Sequence, residues 1–166
     1  MQEKIIKVYS FDELSVEAKE RALQDYRNYN DMPFLEDEMN ERLAQLLKEN
    51  KIKGKGEVAY SLTFSQGDGA MFRGQFEWKS YSVNIKHAGH YENSYCKIID
   101  ISSIKTGNDA NEDTYSQFES IYQDICKELE KYGYSIIEDE NSEETIKDIF
   151  ESNGYTFLDN GKMENI

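Results

Sequence analysis

The chain has 166 residues, the size of one ordinary domain, and its 38% hydrophobic content includes twelve Tyr and eight Phe, enough contact area to exclude a disordered acidic polymer. A net charge of −14 sets it against nucleic acid and anionic membrane as direct partners. The charge is also unevenly placed: residues 1–106 hold 17 Asp and Glu against 15 Lys and Arg, whereas residues 107–166 hold 16 against 4. The excess therefore lies in the last third, where it would steer basic partners. Cys96, in an expected strand, and Cys126, in an expected helix, lack Cys-x-x-Cys or Cys-x-x-His spacing and read as buried free thiols in a reducing compartment. No secretory leader and no apolar run near the ~20 residues of a membrane span is evident, so a soluble cytoplasmic protein is expected.

Ile5, Ile6, Val8 and Tyr9 form a short β-favouring run, and Ser10 to Leu14 turns into a helix with Ser15 as N-cap and Glu17 in its first turn. Ala18, Ala22, Tyr26 and Tyr29 recur at helical spacing. Pro33 predicts the start of a second helix, with an apolar stripe of Leu35, Met39, Leu43, Leu46 and Leu47. Lys51 to Gly56 reads as the end of that helix, cations first and glycines beyond. From Glu57 the period changes to 2: Val58, Tyr60, Leu62 and Phe64 alternate with smaller residues. Gly67-Asp68-Gly69 supplies turn chemistry, Met71 to Lys79 resumes β-like composition with Gly74 as a bulge or close approach, and Tyr81 to Ile85 and Ser94 to Ser102 follow. Connections this short favour an antiparallel meander of about four strands.

Glu112 to Tyr132 places Phe118, Ile121, Tyr122, Ile125, Leu129 and Tyr132 on one helical stripe, with Gly133 read as its C-terminal stop. Ser142 caps a last helix carrying Ile146, Ile149 and Phe150, closed by Gly154, and Tyr155 to Leu158 with Asp159-Asn160-Gly161 reads as a strand and turn. Strand runs segregated from helix runs predict an α+β fold, a single domain over residues 1–166 with a sheet of four or five strands, two N-terminal and two C-terminal helices packed on it, and an acidic helical part over 107–166.

Two sets of residues are candidates for function. In the first, Gln66, Asp68 and Arg73 around the glycine turn, with His87 and His90 of the His-Ala-Gly-His-Tyr segment, would form a small-ligand or nucleotide site if they converge. The turn lacks the Gly-x-Gly-x-x-Gly and P-loop patterns, Asp68 also suits a turn that bonds its own backbone, and the histidines lack the further ligands of a zinc site. No metal, cofactor or catalytic residue is expected. In the second set, Glu140, Glu144, Asp148 and Glu151 recur at helical spacing, with Glu138, Asp139 and Glu143 close by. Carboxylates one turn apart stand roughly 6 Å from one another, a row able to imitate a phosphate backbone and occupy a basic groove of another protein.

The opening Val8-Tyr9-Ser10-Phe11-Asp12-Glu13-Leu14-Ser15 with Ala18 and Ala22, the central Phe64-Ser65-Gln66-Gly67-Asp68-Gly69-Ala70 and the Gly89-His90-Tyr91 hairpin resemble a family of small phage and prophage proteins, over roughly residues 5–100. The acidic tail is not part of the shared pattern. What the resemblance implies is a mobile-element origin, where small acidic proteins act as inhibitors of host defence, anti-CRISPR proteins among them. The expectation is thus a non-enzymatic inhibitor in the host cytoplasm whose partner is a host protein with a basic nucleic-acid-binding surface. An antitoxin-like regulatory partner and the small-ligand module are the alternatives.

Overall fold

A computed structural model describes residues 6–164. The chain is α+β, with a four-stranded antiparallel sheet, two helices ahead of it, two after it and a small C-terminal hairpin. Its residues divide into two compact units, one from Pro33 to Ile136 and the other from the segments before and after it.

In the Pro33–Ile136 unit, β1 (Ile52–Ser61), β2 (Gly69–Trp78), β3 (Tyr81–His87) and β4 (Lys97–Ser103) pair in chain order. The register puts Val58 opposite Phe72, Phe76 opposite Val83 and Ile85 opposite Ile99. These residues, with Trp78 and Ile101, therefore share one buried face. Helix α3 (Glu112–Glu140) buries Phe118, Tyr122, Ile125 and Leu129. Its rings meet the sheet, Phe118 lying 5.3 Å from Trp78 and Tyr122 4.8 Å from Phe72 between centroids. Burying each such side chain contributes about 1.5–3 kcal/mol. Helix α2 (Leu35–Glu49) buries its full expected stripe, and Asn40 Oδ1 accepts the Val58 N–H at 3.0 Å. That bond occupies a backbone donor of edge strand β1. The other face carries the exposed Lys53, Lys55, Glu57, Arg73, Glu77, Lys86 and Asp100.

Two glycine readings are corrected here. Lys51 to Gly56 is not a helix tail, because β1 already begins at Ile52. Its glycines make room for an aromatic ring lying across the strand pair: a Cβ on Gly56 would stand 2.6 Å from Phe76 Cζ. Gly133 does not end α3, which continues to Glu140. A Cβ there would collide with Leu62 Cδ1 and come within 3.0 Å of Met39 Sδ, so the residue permits close packing inside the helix.

In the other unit, a 3-10 turn (Phe11–Glu13), α1 (Val16–Tyr29) and α4 (Glu143–Ser152) share a core with the hairpin of β5 (Thr156–Phe157) and β6 (Met163–Glu164). Phe11, Leu14, Ala18, Ala22, Leu23, Ile146, Phe150 and Phe157 are all buried in it. Ser15 caps α1 by accepting the Ala18 N–H at 3.2 Å. The expected first strand is reduced to a single bridge between Tyr9 and Phe157, Ile6 is exposed, and Ile5 lies outside the described residues. Cys96 stands half-buried just ahead of β4 rather than within it, while Cys126 is buried in α3, where burial pushes its thiol up to about 12. Among the described residues no helix is long and apolar enough to cross a membrane.

Candidate functional site

The chain between β1 and β2 is gathered around one carboxylate. Asp68 accepts the backbone N–H groups of Thr63 at 2.6 Å and Ser65 at 2.9 Å, and the hydroxyls of Ser61, Thr63 and Tyr134 at 2.9, 3.1 and 2.8 Å. The Ser65 backbone bond, with the Tyr134, Ser61 and Thr63 donors behind it, holds this carboxyl far below the ordinary carboxylate range. Its lone pairs are thus committed to the chain's own donors. The loop so held presents Phe64 at φ 59°, a left-handed conformation uncommon for a bulky side chain. Phe64 stays 68% exposed with its ring 4.7 Å from that of Tyr134.

The other members of the expected ligand site do not converge on Asp68. Arg73 pairs with Glu57, its register partner on β1, at 3.0 Å. His87, at the end of β3, shares a 3.0 Å hydrogen bond with the Tyr91 carbonyl and lies 3.8 Å from Glu92. Gln66 and His90 are exposed. The loop and the 88–96 segment do touch, through the Tyr91 ring against Gly67 and through Asn93 Nδ2, which donates to the Gly67 carbonyl at 3.1 Å. Four surface cavities of about 430, 470, 510 and 630 Å3 are lined by other residues. Among the described residues no group of three or more His, Cys, Asp or Glu is arranged to hold a metal ion.

The acidic set has the opposite character. Glu138, Asp139 and Glu140 close α3, and the chain turns at Asn141. Ser142 restarts it by accepting the Thr145 N–H at 3.2 Å. Glu143 and Glu144 then fall in the first turn of α4, next to the positive end of its dipole. Ile146 and Phe150 fix the inner face of α4, which leaves Glu144, Asp148 and Glu151 at i, i+4 and i+7 on the exposed face. The expected single row is therefore corrected. Glu140 belongs to the end of α3, because Gly133 does not stop that helix, and only three carboxylates run down α4. Arg27 of α1 donates from Nε to the Asn141 carbonyl at 2.9 Å, tying down the corner between the two acidic segments.

Of these seven carboxylates only Glu151 has an ion-pair partner among the described residues. Lys147 Nζ lies 3.6 Å from Glu151 and 2.9 Å from Asp12. Of the other six, five are exposed and Glu140 is half-buried, and none has a counter-ion among the described residues.

Comparison with protein-family models, with curated proteins and with solved structures found no match. The functional reading therefore rests on the residues themselves. Sequence reasoning missed the exposed aromatics that accompany the Asp68 loop, Phe64, Tyr91 and Tyr95. Alternation predicts a strand that runs through Phe64, yet β1 ends at Ser61. The signal available was a bulky residue directly before a Ser-x-Gly-Asp-Gly turn.

Proposed function

We propose that the chain is a non-enzymatic inhibitor of the phage anti-defence type, anti-CRISPR proteins being one class. In this reading it binds a basic, nucleic-acid-handling host protein through Glu138, Asp139, Glu140, Glu143, Glu144, Asp148 and Glu151. One observation carries the reading: carboxylates gathered on the end of α3 and on α4 have, Glu151 apart, no counter-ion among the described residues. Like charges one turn apart weaken a helix by a few tenths of a kcal/mol per pair, and a basic partner would relieve that repulsion. A groove that normally holds phosphates supplies Lys and Arg at comparable spacing, and complementary fields speed such encounters. The concentration of negative charge after residue 106 supports the same reading.

The test is capture from a host lysate with and without nuclease, using the chain and a variant carrying Glu140→Lys, Glu144→Lys, Asp148→Lys and Glu151→Lys. Capture that survives nuclease, weakens with salt and disappears in the variant is the expected result. An affinity equal in both proteins at low and high salt contradicts the proposal. An antitoxin-like role would use the same surface and differ only in the partner recovered. The small-ligand reading gains nothing from Asp68, whose lone pairs are occupied within the loop.

A further inference from the structure

The chain carries a net charge of −14, yet Lys48, Lys51, Lys53, Lys55 and Lys79 gather in the Pro33–Ile136 unit and line adjoining cavities. A cavity of about 630 Å3 is walled by Lys51, Lys53 and Lys79 over Trp78 and Ile121. A second, of about 470 Å3, adds Lys48 and Lys55 and shares Lys51 and Lys53 with the first. A third, of about 430 Å3, opens on the far side of Lys53. Lys53 thus stands where three depressions meet. Glu77 is the only carboxylate lining any of them, and none of the five lysines has an ion-pair partner within 4.0 Å among the described residues.

Two further observations separate this groove from an ordinary solvated patch. Lys51 and Lys79 adopt φ values of 57° and 55°, left-handed positions that glycine or asparagine would occupy with less strain. Two of the lysines lining the first cavity are therefore held in a conformation lysine does not favour, the kind of local strain that collects at functional sites. Lys79 is also held in place, with Nζ 3.0 Å from Gln117 Oε1 and 4.1 Å from the Trp78 ring centroid. Lys48 and Lys51 offset the negative end of the α2 dipole, but Lys53, Lys55 and Lys79 have no such role. Lys53 and Lys55 are two apart on one strand face, about 6.6 Å from one another.

We infer that this groove binds a ligand bearing two or more adjacent phosphate groups, supplied either by a nucleoside triphosphate or by a single-stranded nucleic acid. The lysines take the phosphates, and the half-buried Ile121 supplies apolar surface for the attached body. The groove is lined by none of the carboxylates of 138–151, so this inference stands or falls independently of the proposed function.

Fluorescence anisotropy of the full chain with a labelled ten-nucleotide oligothymidylate, competed by adenosine triphosphate, tests it. The expected result is binding at low salt that falls with a log–log slope of roughly −2, from about 0.7 per neutralised phosphate on a single strand and three principal lysines. Lys53→Glu is expected to weaken it at least tenfold, and Lys127→Glu, on exposed α3 surface, by less than twofold. Competition by the triphosphate marks a nucleotide-sized ligand, and its failure marks the strand as the source. A Lys51→Gly, Lys79→Gly double variant guards against misfolding: it is expected to lose binding at least tenfold with no loss of thermal stability. Absence of binding to both probes at low salt, equal losses in Lys53→Glu and Lys127→Glu, or full binding by the double glycine variant would overturn the inference.

Discussion

Asp68 and the carboxylates of residues 138–151 are one functional group in two opposite situations. Asp68 receives hydrogen bonds from Ser61, Thr63, Ser65 and Tyr134 and shapes the loop that carries it. Glu144 and Asp148 stand on an exposed helix face, and among the described residues no cation pairs with either. The difference teaches that a carboxylate's place in a motif says little until its lone pairs are counted. Where the chain supplies the donors, the group builds structure, and where it supplies none, the group is available to a partner.

The largest effect is expected at the scaffold of the acidic face. Phe150 anchors α4, its ring 5.4 Å from Phe11 and 5.0 Å from Phe157 between centroids. Phe150→Ala should cost about 3–5 kcal/mol in urea denaturation and remove the helix that displays the acidic face. Asp68→Asn should come next and should leave the acidic face able to bind. Because the folded-state pKa of Asp68 is lowered, its contribution is complete above the ordinary value near 3.9 and is lost as pH falls below that. The gap in melting temperature between the chain and Asp68→Asn should therefore be widest near neutrality and narrow below about pH 4. A gap constant across pH would show that the carboxylate charge is not what holds the loop.

Smaller effects sharpen the same contrast. Gly133→Ala should destabilise by about 0–2 kcal/mol: overpacking of Leu62 and Met39 costs about 1–3 kcal/mol, against a gain of about 1 kcal/mol that alanine brings to a helix. A stabilised variant would mean that Leu62 and Met39 yield freely. Last, Glu144→Gln with Asp148→Asn should change stability by no more than about 0.5 kcal/mol either way, since relief of an i,i+4 repulsion is offset by loss of the Glu144 charge at the positive end of the α4 dipole. Thermal denaturation that shows a clear loss would assign these groups a structural role like that of Asp68.

What was legible in the sequence follows the range of the interactions involved. The N-caps at Ser15 and Ser142 bond a backbone N–H three residues away, and the buried stripe of α2 repeats within one helix, so both could be read locally. The four-strand meander was equally plain from alternation and short turns. The Asp68 loop was legible as a turn, but the hydroxyl that completes it comes from Tyr134, 66 residues away. Gly133 and the glycines of β1 were misread because glycine marks both chain reversal and close approach, and only the neighbours Leu62, Met39 and Phe76 decide between them. The acidic residues were found by composition. Their division between α3 and α4 depended on the misread Gly133.

In the proposed function, the carboxylates of 138–151 are a binding surface for a basic protein. The most direct measurement is partner capture by the chain and by the Glu140→Lys, Glu144→Lys, Asp148→Lys, Glu151→Lys variant, after nuclease and across a salt series. The expected result is a protein partner retained by the chain, released progressively by salt and absent from the folded variant. Equal retention by both proteins at every salt concentration would contradict it.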